Sequence, residues 1–234
     1  LKGITEMKTV LITGSNRGLG LEFVKHYSKN NYNVIACCRK KDIASDLLYL
    51  SKEYSSIQIY SLDVGNTDQI KNLSNSLQNQ PIDILINNAG IYRSSTLGNI
   101  NKDDWVDSFL INTIAPFEII QSFLPHLLNG ELKKIISITS KMGSIDDNTS
   151  GGSYIYRSSK TALNSMMRSL SHDLLSQGIS TLTLHPGWVK TDMGGPGAWI
   201  DTNESVGGMI NQIKKLSINN SGRYIDYAGK PINW

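Results

Sequence analysis

Short apolar, β-branched runs recur along the chain at Thr9–Thr13, Asn33–Cys38, Ile57–Ser61, Ile82–Asn87, Lys134–Thr139 and Ser180–Leu184. Each has strand length and is apolar at odd and even positions alike, the pattern of a strand buried on both faces. Between the runs the apolar spacing becomes helical. A first helix is predicted from Gly18 through Leu19, Leu21, Phe23, Val24 and Tyr27, stopped at Asn30-Asn31. A second runs from Ile43 to Tyr54, and a third starts at Thr67 and carries Ile70, Leu73 and Leu77. A pair of helices fills Asp103 to Leu128 with Pro116 at the junction or at a kink. Further helices cover Tyr154 to Ser176 and the stretch from about Thr202 to Leu216.

Strand alternating with helix implies βαβ units, right-handed crossovers and a parallel sheet covered on both faces: a doubly wound α/β fold of the Rossmann type. No internal repeat or linker interrupts it, so residues 1–234 read as one domain. Residues 187–201 are the one long stretch without periodicity. They are rich in Gly and hold Trp188, Met193, Pro196 and Trp199. A loop of that length in a compact domain reads as a lid or substrate loop.

Composition narrows the function classes. Net charge is only +3 and the basic residues are scattered, which argues against nucleic acid as a partner. No apolar run approaches the roughly 18 residues of a membrane span, so no membrane partner is expected. The two cysteines, Cys37 and Cys38, are adjacent and would point to opposite faces of a strand. They form no disulfide framework, which points to a reducing, cytoplasmic location. Residues 1–6 read as a tail or extension ahead of a natural start at Met7, with no signal peptide. No residue pattern calls for a metal.

The loop Gly14-Ser15-Asn16-Arg17-Gly18-Leu19-Gly20 follows the first strand and opens the first helix, the context of a dinucleotide phosphate site. Gly14 permits the tight turn, Gly18 a close approach to a pyrophosphate, and Gly20 close packing of helix on sheet. The helix N-terminus offers its unpaired N–H groups to the anion. After the second strand the chain reads Cys38-Arg39-Lys40-Lys41, with no acid to bind a ribose hydroxyl before Asp42. Arg39, flanked by Arg17, suits a 2′-phosphate, which favours NADP(H) over NAD(H).

Tyr156 and Lys160 stand at i, i+4 on one helix face. A phenol titrates near pH 10, and a nearby ammonium favours its ionised form, so the pair could exchange a proton with a carbonyl or alcohol. Ser140, at the carboxyl end of the fifth strand, would point into the crevice and polarise the substrate oxygen, with Thr139 and Ser144 as alternatives.

These pieces, in this order, resemble the classical short-chain dehydrogenase/reductase family. The resemblance runs from Thr9 to about Gly222. It rests on the glycine loop, Asp63-Val64, Asn87-Asn88-Ala89-Gly90, Asn112, Ser140, Tyr156, Lys160 and Pro186-Gly187. Within the family the chain is most similar to sniffer-type carbonyl reductases and C-factor-like bacterial proteins. The segments Ser140–Ile145, His185–Gly195 and Gly222–Tyr227 carry that likeness.

The resemblance implies a mostly seven-stranded parallel sheet in the order 3-2-1-4-5-6-7. It implies that Asp63 and Val64 lie at the adenine, and that Asn87, Asn88, Ala89 and Gly90 line the cofactor. Asn112 would position a relay water with Lys160, and Ser140 would orient the substrate. Tyr156 would be the acid–base, and Lys160 would also bind a ribose. Pro186, Gly187, Val189 and Thr191 would cradle the nicotinamide end. One departure is visible: Gly143 stands where the family most often has its serine, and Gly143 to Ser153 reads as a small insertion. The expected activity is NADP(H)-dependent reduction of a ketone, aldehyde or quinone. The alternative is a dinucleotide-binding signalling or redox-sensing protein with little turnover. Trp188, Met193 and Trp199 serve either as pocket wall or as loop anchors. The family implies a homodimer or homotetramer, and apolar faces around Phe109–Phe123 and Leu163–Leu170 permit that packing.

Overall fold

The computed structural model describes residues 7–234; the tail expected over residues 1–6 lies outside them. The elements are β1 (Thr9–Thr13), α1 (Gly18–Lys29), β2 (Asn33–Cys38), α2 (Ser45–Glu53), β3 (Ile57–Ser61), α3 (Thr67–Ser76), β4 (Ile84–Asn87), α4 (Lys102–Phe109), α5 (Ala115–Asn129), β5 (Lys134–Ile138), α6 (Tyr154–Asp173), β6 (Ser180–His185), α7 (Thr202–Lys215) and β7 (Arg223–Asp226). The strands form one seven-stranded sheet, β3-β2-β1-β4-β5-β6-β7, in which every pairing is parallel.

Alternation along the central strands divides the core in two. On β1, Val10 and Ile12 enter a cluster with residues of α1, α2 and α7, while Leu11 enters one built with α3, α5 and α6. Cys38 joins the first and Cys37 the second; both are free and buried, and burial raises both thiols. A residue whose neighbours face both layers must be apolar, which is why the strand runs look continuous.

One expectation fails along a whole strand: β3 lies at the sheet edge with Gln58 and Ser61 exposed, so it is not buried on both faces. The other differences lie at element ends. β4 starts at Ile84 rather than Ile82: the Ile82 amide donates to His126 O instead of to a neighbouring strand, and the Asp83 carboxylate takes hydrogen bonds from the backbone of Thr9, Glu131 and Leu132. The helix pair is joined by a π turn at Leu110–Ile114, ahead of Pro116. Pro116 then sits in the first turn of α5, which continues the helical backbone of the π turn. The sixth helix ends at Asp173, followed by a 3-10 turn at Leu175–Gln177 and Gly178 at φ +73°. β7 had no periodic signal; it is four residues long and is held by pairing from Leu182–His185 of β6.

Leu163, Leu170 and Phe123 are buried in the core and are not available for association. Val106, Ile114 and Phe117, on α4, the π turn and α5, are exposed. Val106 and Ile114 line an apolar groove with Lys102, Trp105, Phe109 and Leu110. Among the described residues no helix is long and apolar enough to cross a membrane, and no group of His, Cys, Asp and Glu is placed to hold a metal ion.

Candidate active site

The carboxyl ends of β1, β4 and β5 and the start of α6 converge at one edge of the sheet, as the loops of a doubly wound fold must. The glycine loop adopts the turn its composition allows. Gly14 and Gly18 have φ +67° and +53°. A Cβ on Gly20 would overlap the carbonyl oxygen of Gly14, so only glycine lets α1 approach this closely. α1 opens at Arg17 without any side-chain cap, leaving its first N–H groups directed outward. Ser15 is fully buried and turned inward, its hydroxyl donating to Ile12 O at 2.7 Å, so it shapes the loop. Asn16 and Arg17 are exposed, and Leu19 packs partly on the core.

The loop after β4 is locked to this turn. Thr13 Oγ1 accepts from the amides of Asn88 and Ala89, both at 3.1 Å. Asn88 Nδ2 donates to the carbonyls of Thr13 and Gly14 at 2.9 and 3.1 Å. Asn87 is buried, donates weakly to Pro116 O at 3.4 Å, and keeps its Oδ1 unpartnered. Asp63 accepts from Gly65 N at 3.0 Å and closes its own turn, the simple role also open to it, beside a buried Val64. Arg39 is exposed at the end of β2. Arg17 forms an ion pair of 2.6 Å with Asp192.

Tyr156 and Lys160 lie in the first two turns of α6, both buried. Lys160 Nζ donates to Ile138 O at the end of β5 (3.0 Å) and stands 5.9 Å from the Tyr156 ring centre. Burial pushes the Tyr156 phenol up to about 12; a hydrogen bond from Ser140 pulls it back, and neighbouring Tyr92 pushes it further up. Burial brings the Lys160 ammonium down to about 8. At neutral pH the phenol is therefore protonated and the ammonium largely charged.

Of the three hydroxyls considered, Ser140 is the one on Tyr156. Its Oγ also accepts from Met142 N at 3.1 Å. Ser144 Oγ instead accepts from Asp147 N at 3.1 Å, capping the insertion, and Thr139 Oγ1 donates to Asn164 Oδ1 at 2.7 Å. Asn112 is buried in the π turn. Its Oδ1 accepts from Ile91 N, and both its N–H groups are engaged, by Ile91 O and Ser159 Oγ. A Cβ on Gly90 would meet Asn112 and Lys160, so the main chain passes directly over the pair.

Residues 187–201 fold back over the glycine loop. Val189 is buried and bridges to Ile200; Thr191 accepts from Gly194 N and brings its methyl to Gly18. Pro186 O accepts from Ser205 Oγ, and Gly187, at φ +84°, lies where a Cβ would strike Ile200 and Tyr227. Trp188 and Trp199 meet edge to face at 5.4 Å, and Trp188 Nε1 donates to Gly194 O at 2.7 Å. The bond ties Trp188 to its own loop, while both indoles remain exposed.

Sequence reasoning missed Tyr92, whose ring lies 5.1 Å from that of Tyr156, and Asn164, a buried polar residue one helical turn past Lys160. Helical spacing from Lys160 is a signal for Asn164. Tyr92 had only its position after the Asn-Ala-Gly segment.

Comparison with known proteins agrees with this fold. The family described as short chain dehydrogenase matches residues 8–198. The chain is 45% identical over 155 residues to the C-signal of Myxococcus xanthus, covering 66% of this chain and 93% of that one. It is similar to the NADPH-bound carbonyl reductase from chicken fatty liver (TM-score 0.93, 37% identity, 98% of this chain and 100% of that one). It is also similar to carbonyl reductase Sniffer of D. melanogaster (TM-score 0.90, 36% identity, the same shares). A match over most of the chain places this protein in the short-chain dehydrogenase family as an oxidoreductase.

Proposed function

We propose that the chain is an NADP(H)-dependent carbonyl reductase in which Tyr156 is the acid. The observation that carries this is the buried Ser140–Tyr156–Lys160 cluster beside the glycine turn. The turn fits a dinucleotide: its glycines clear the space a Cβ would take, and the N-terminus of α1 has no side-chain cap. Gly14 to Gly20 would hold the pyrophosphate, Arg17 and Arg39 the 2′-phosphate, Asp63 and Val64 the adenine, and Asn88, Ala89 and Gly90 the sugar side. Pro186, Gly187, Val189 and Thr191 would hold the nicotinamide end, with residues 187–201 as the substrate loop. When bound, NADPH supplies the hydride.

The side chains do the rest. Ser140 Oγ holds the substrate oxygen beside Tyr156, whose raised phenol carries its proton at neutral pH and gives it to that oxygen. Lys160, still charged, favours the phenolate left behind and binds the ribose. The Asn112 side chain fixes the main chain at Ile91 with both N–H groups engaged, so a relay water beside Lys160 would be held by Asn112 only as an acceptor. The location is cytoplasmic and the substrate a small ketone, aldehyde or quinone.

The test is NADPH oxidation with menadione, isatin and benzaldehyde. Tyr156→Phe removes the proton donor and should lower kcat by about 100- to 10,000-fold while NADPH still binds. A second reading, signalling through dinucleotide binding with little turnover, draws on the likeness to C-signal. It is favoured if NADPH binds tightly, no carbonyl is reduced and Tyr156→Phe changes nothing.

A further inference from the structure

The last strand reaches into the same site. Tyr224, on β7, is 3% exposed and donates through its phenol to the main-chain carbonyl of Ser140 at 2.6 Å. Gly143 N donates to that carbonyl at 2.8 Å. Both lone pairs of the Ser140 carbonyl are thus engaged, from two directions. Asn164 is hydrogen-bonded to the Tyr224 side chain, and it also donates to Gly143 O at 3.2 Å. On its other side, Tyr224 packs on the Trp234 ring at 5.3 Å. The segment holding Trp234 is tied to the insertion by Asp146 N on Trp234 O and by Asn233 Nδ2 on Asp146 Oδ2.

A buried phenol needs an acceptor, and many would serve. This one takes the carbonyl of the residue whose side chain meets Tyr156. The carbonyl and the side chain leave the same Cα, so bonds that hold the carbonyl also hold the backbone from which the Ser140 hydroxyl projects. We propose that Tyr224 is a positioning residue: clamping the Ser140 carbonyl fixes where the Ser140 hydroxyl stands relative to Tyr156. The proposal rests on the reading of Ser140 given above.

Tyr224→Phe keeps the ring on Trp234 and leaves the Ser140 carbonyl its bond from Gly143, so the fold survives. On whichever of menadione, isatin and benzaldehyde the wild type reduces fastest, kcat should fall about tenfold. KM for NADPH, and its Kd by fluorescence titration, should stay within about twofold of wild type. In a Ser140→Ala background the same change should alter kcat by less than about twofold, because the group being positioned is gone. Thermal unfolding of all four proteins guards against a general loss of structure. Equal effects of Tyr224→Phe in both backgrounds, or no effect in the wild type, overturn the positioning role while leaving Ser140 in place. If Ser140→Ala leaves kcat intact, or the wild type reduces none of the three carbonyls, the reading of the site fails and the proposal falls with it.

Discussion

At the scale of single residues, the site is an opposition between burial and charge. Tyr156 and Lys160 are both pushed toward their neutral forms, the phenol up to about 12 and the ammonium down to about 8. The phenol therefore stays protonated through the working range, and Lys160 is the group that titrates. As pH rises through about 8 the lysine loses its proton, so reduction should decline along a single-proton alkaline limb. Lys160→Arg, which keeps its charge, should remove that limb from the pH–rate profile even if the overall rate is lower. Arg39 makes a separate claim. Arg39→Ala should weaken NADPH by about 10- to 100-fold, the worth of a hydrogen-bonded charge, and leave NADH unchanged by calorimetry or fluorescence titration. Equal loss for both cofactors would refute the 2′-phosphate assignment.

At the scale of elements, placement of the site depends on close approach of α1 to β1 and on the cross-links from β4. Gly20→Ala would drive a Cβ into the Gly14 carbonyl. The helix must then retreat, at a cost of about 1–3 kcal/mol in denaturant unfolding, with NADPH affinity lost at the same time. Thr13-Gly-x-x-x-Gly-x-Gly was legible because the turn requires those glycines locally. The role of Asn88, which bonds the carbonyls of Thr13 and Gly14 from far along the chain, was legible only through family resemblance.

At the scale of the whole molecule, two expectations follow from which groups the fold covers. His185, at the end of β6, has its imidazole lowered to about 4, chiefly by burial, with Asp226 and Asp147 raising it and Lys141 lowering it. The unfolded chain binds that proton near pH 6.5 and the folded one does not. The contribution is present above about 6.5 and is lost as pH falls toward 4, amounting to about 3 kcal/mol. His185→Asn should flatten the stability profile in that window, measured by urea unfolding at several pH values. Val106, Ile114 and Phe117 are exposed apolar side chains, and the homodimer or homotetramer that the family resemblance implies is expected to cover this face. Phe117→Asp should reduce the mass measured by light scattering to that of one chain; an unchanged mass would refute that face.

Features that arise within one turn or one strand were readable from the sequence by itself. Strand runs needed β-branched residues on both faces, the phosphate turn needed its glycines, and i, i+4 spacing brought Tyr156 and Lys160 together. Features that close over long separations were decided by the tertiary structure. Whether Ser140 or Ser144 meets Tyr156 depended on which of them the packing of β5 against α6 set beside the phenol. β7 exists because β6 offered it an edge, not because four residues carry a period. Leu163 and Leu170 looked like an association face until helix α6 turned them into the core. Local periodicity states what a segment needs to bury. Only packing decides which partner buries it and which polar group is left to do chemistry.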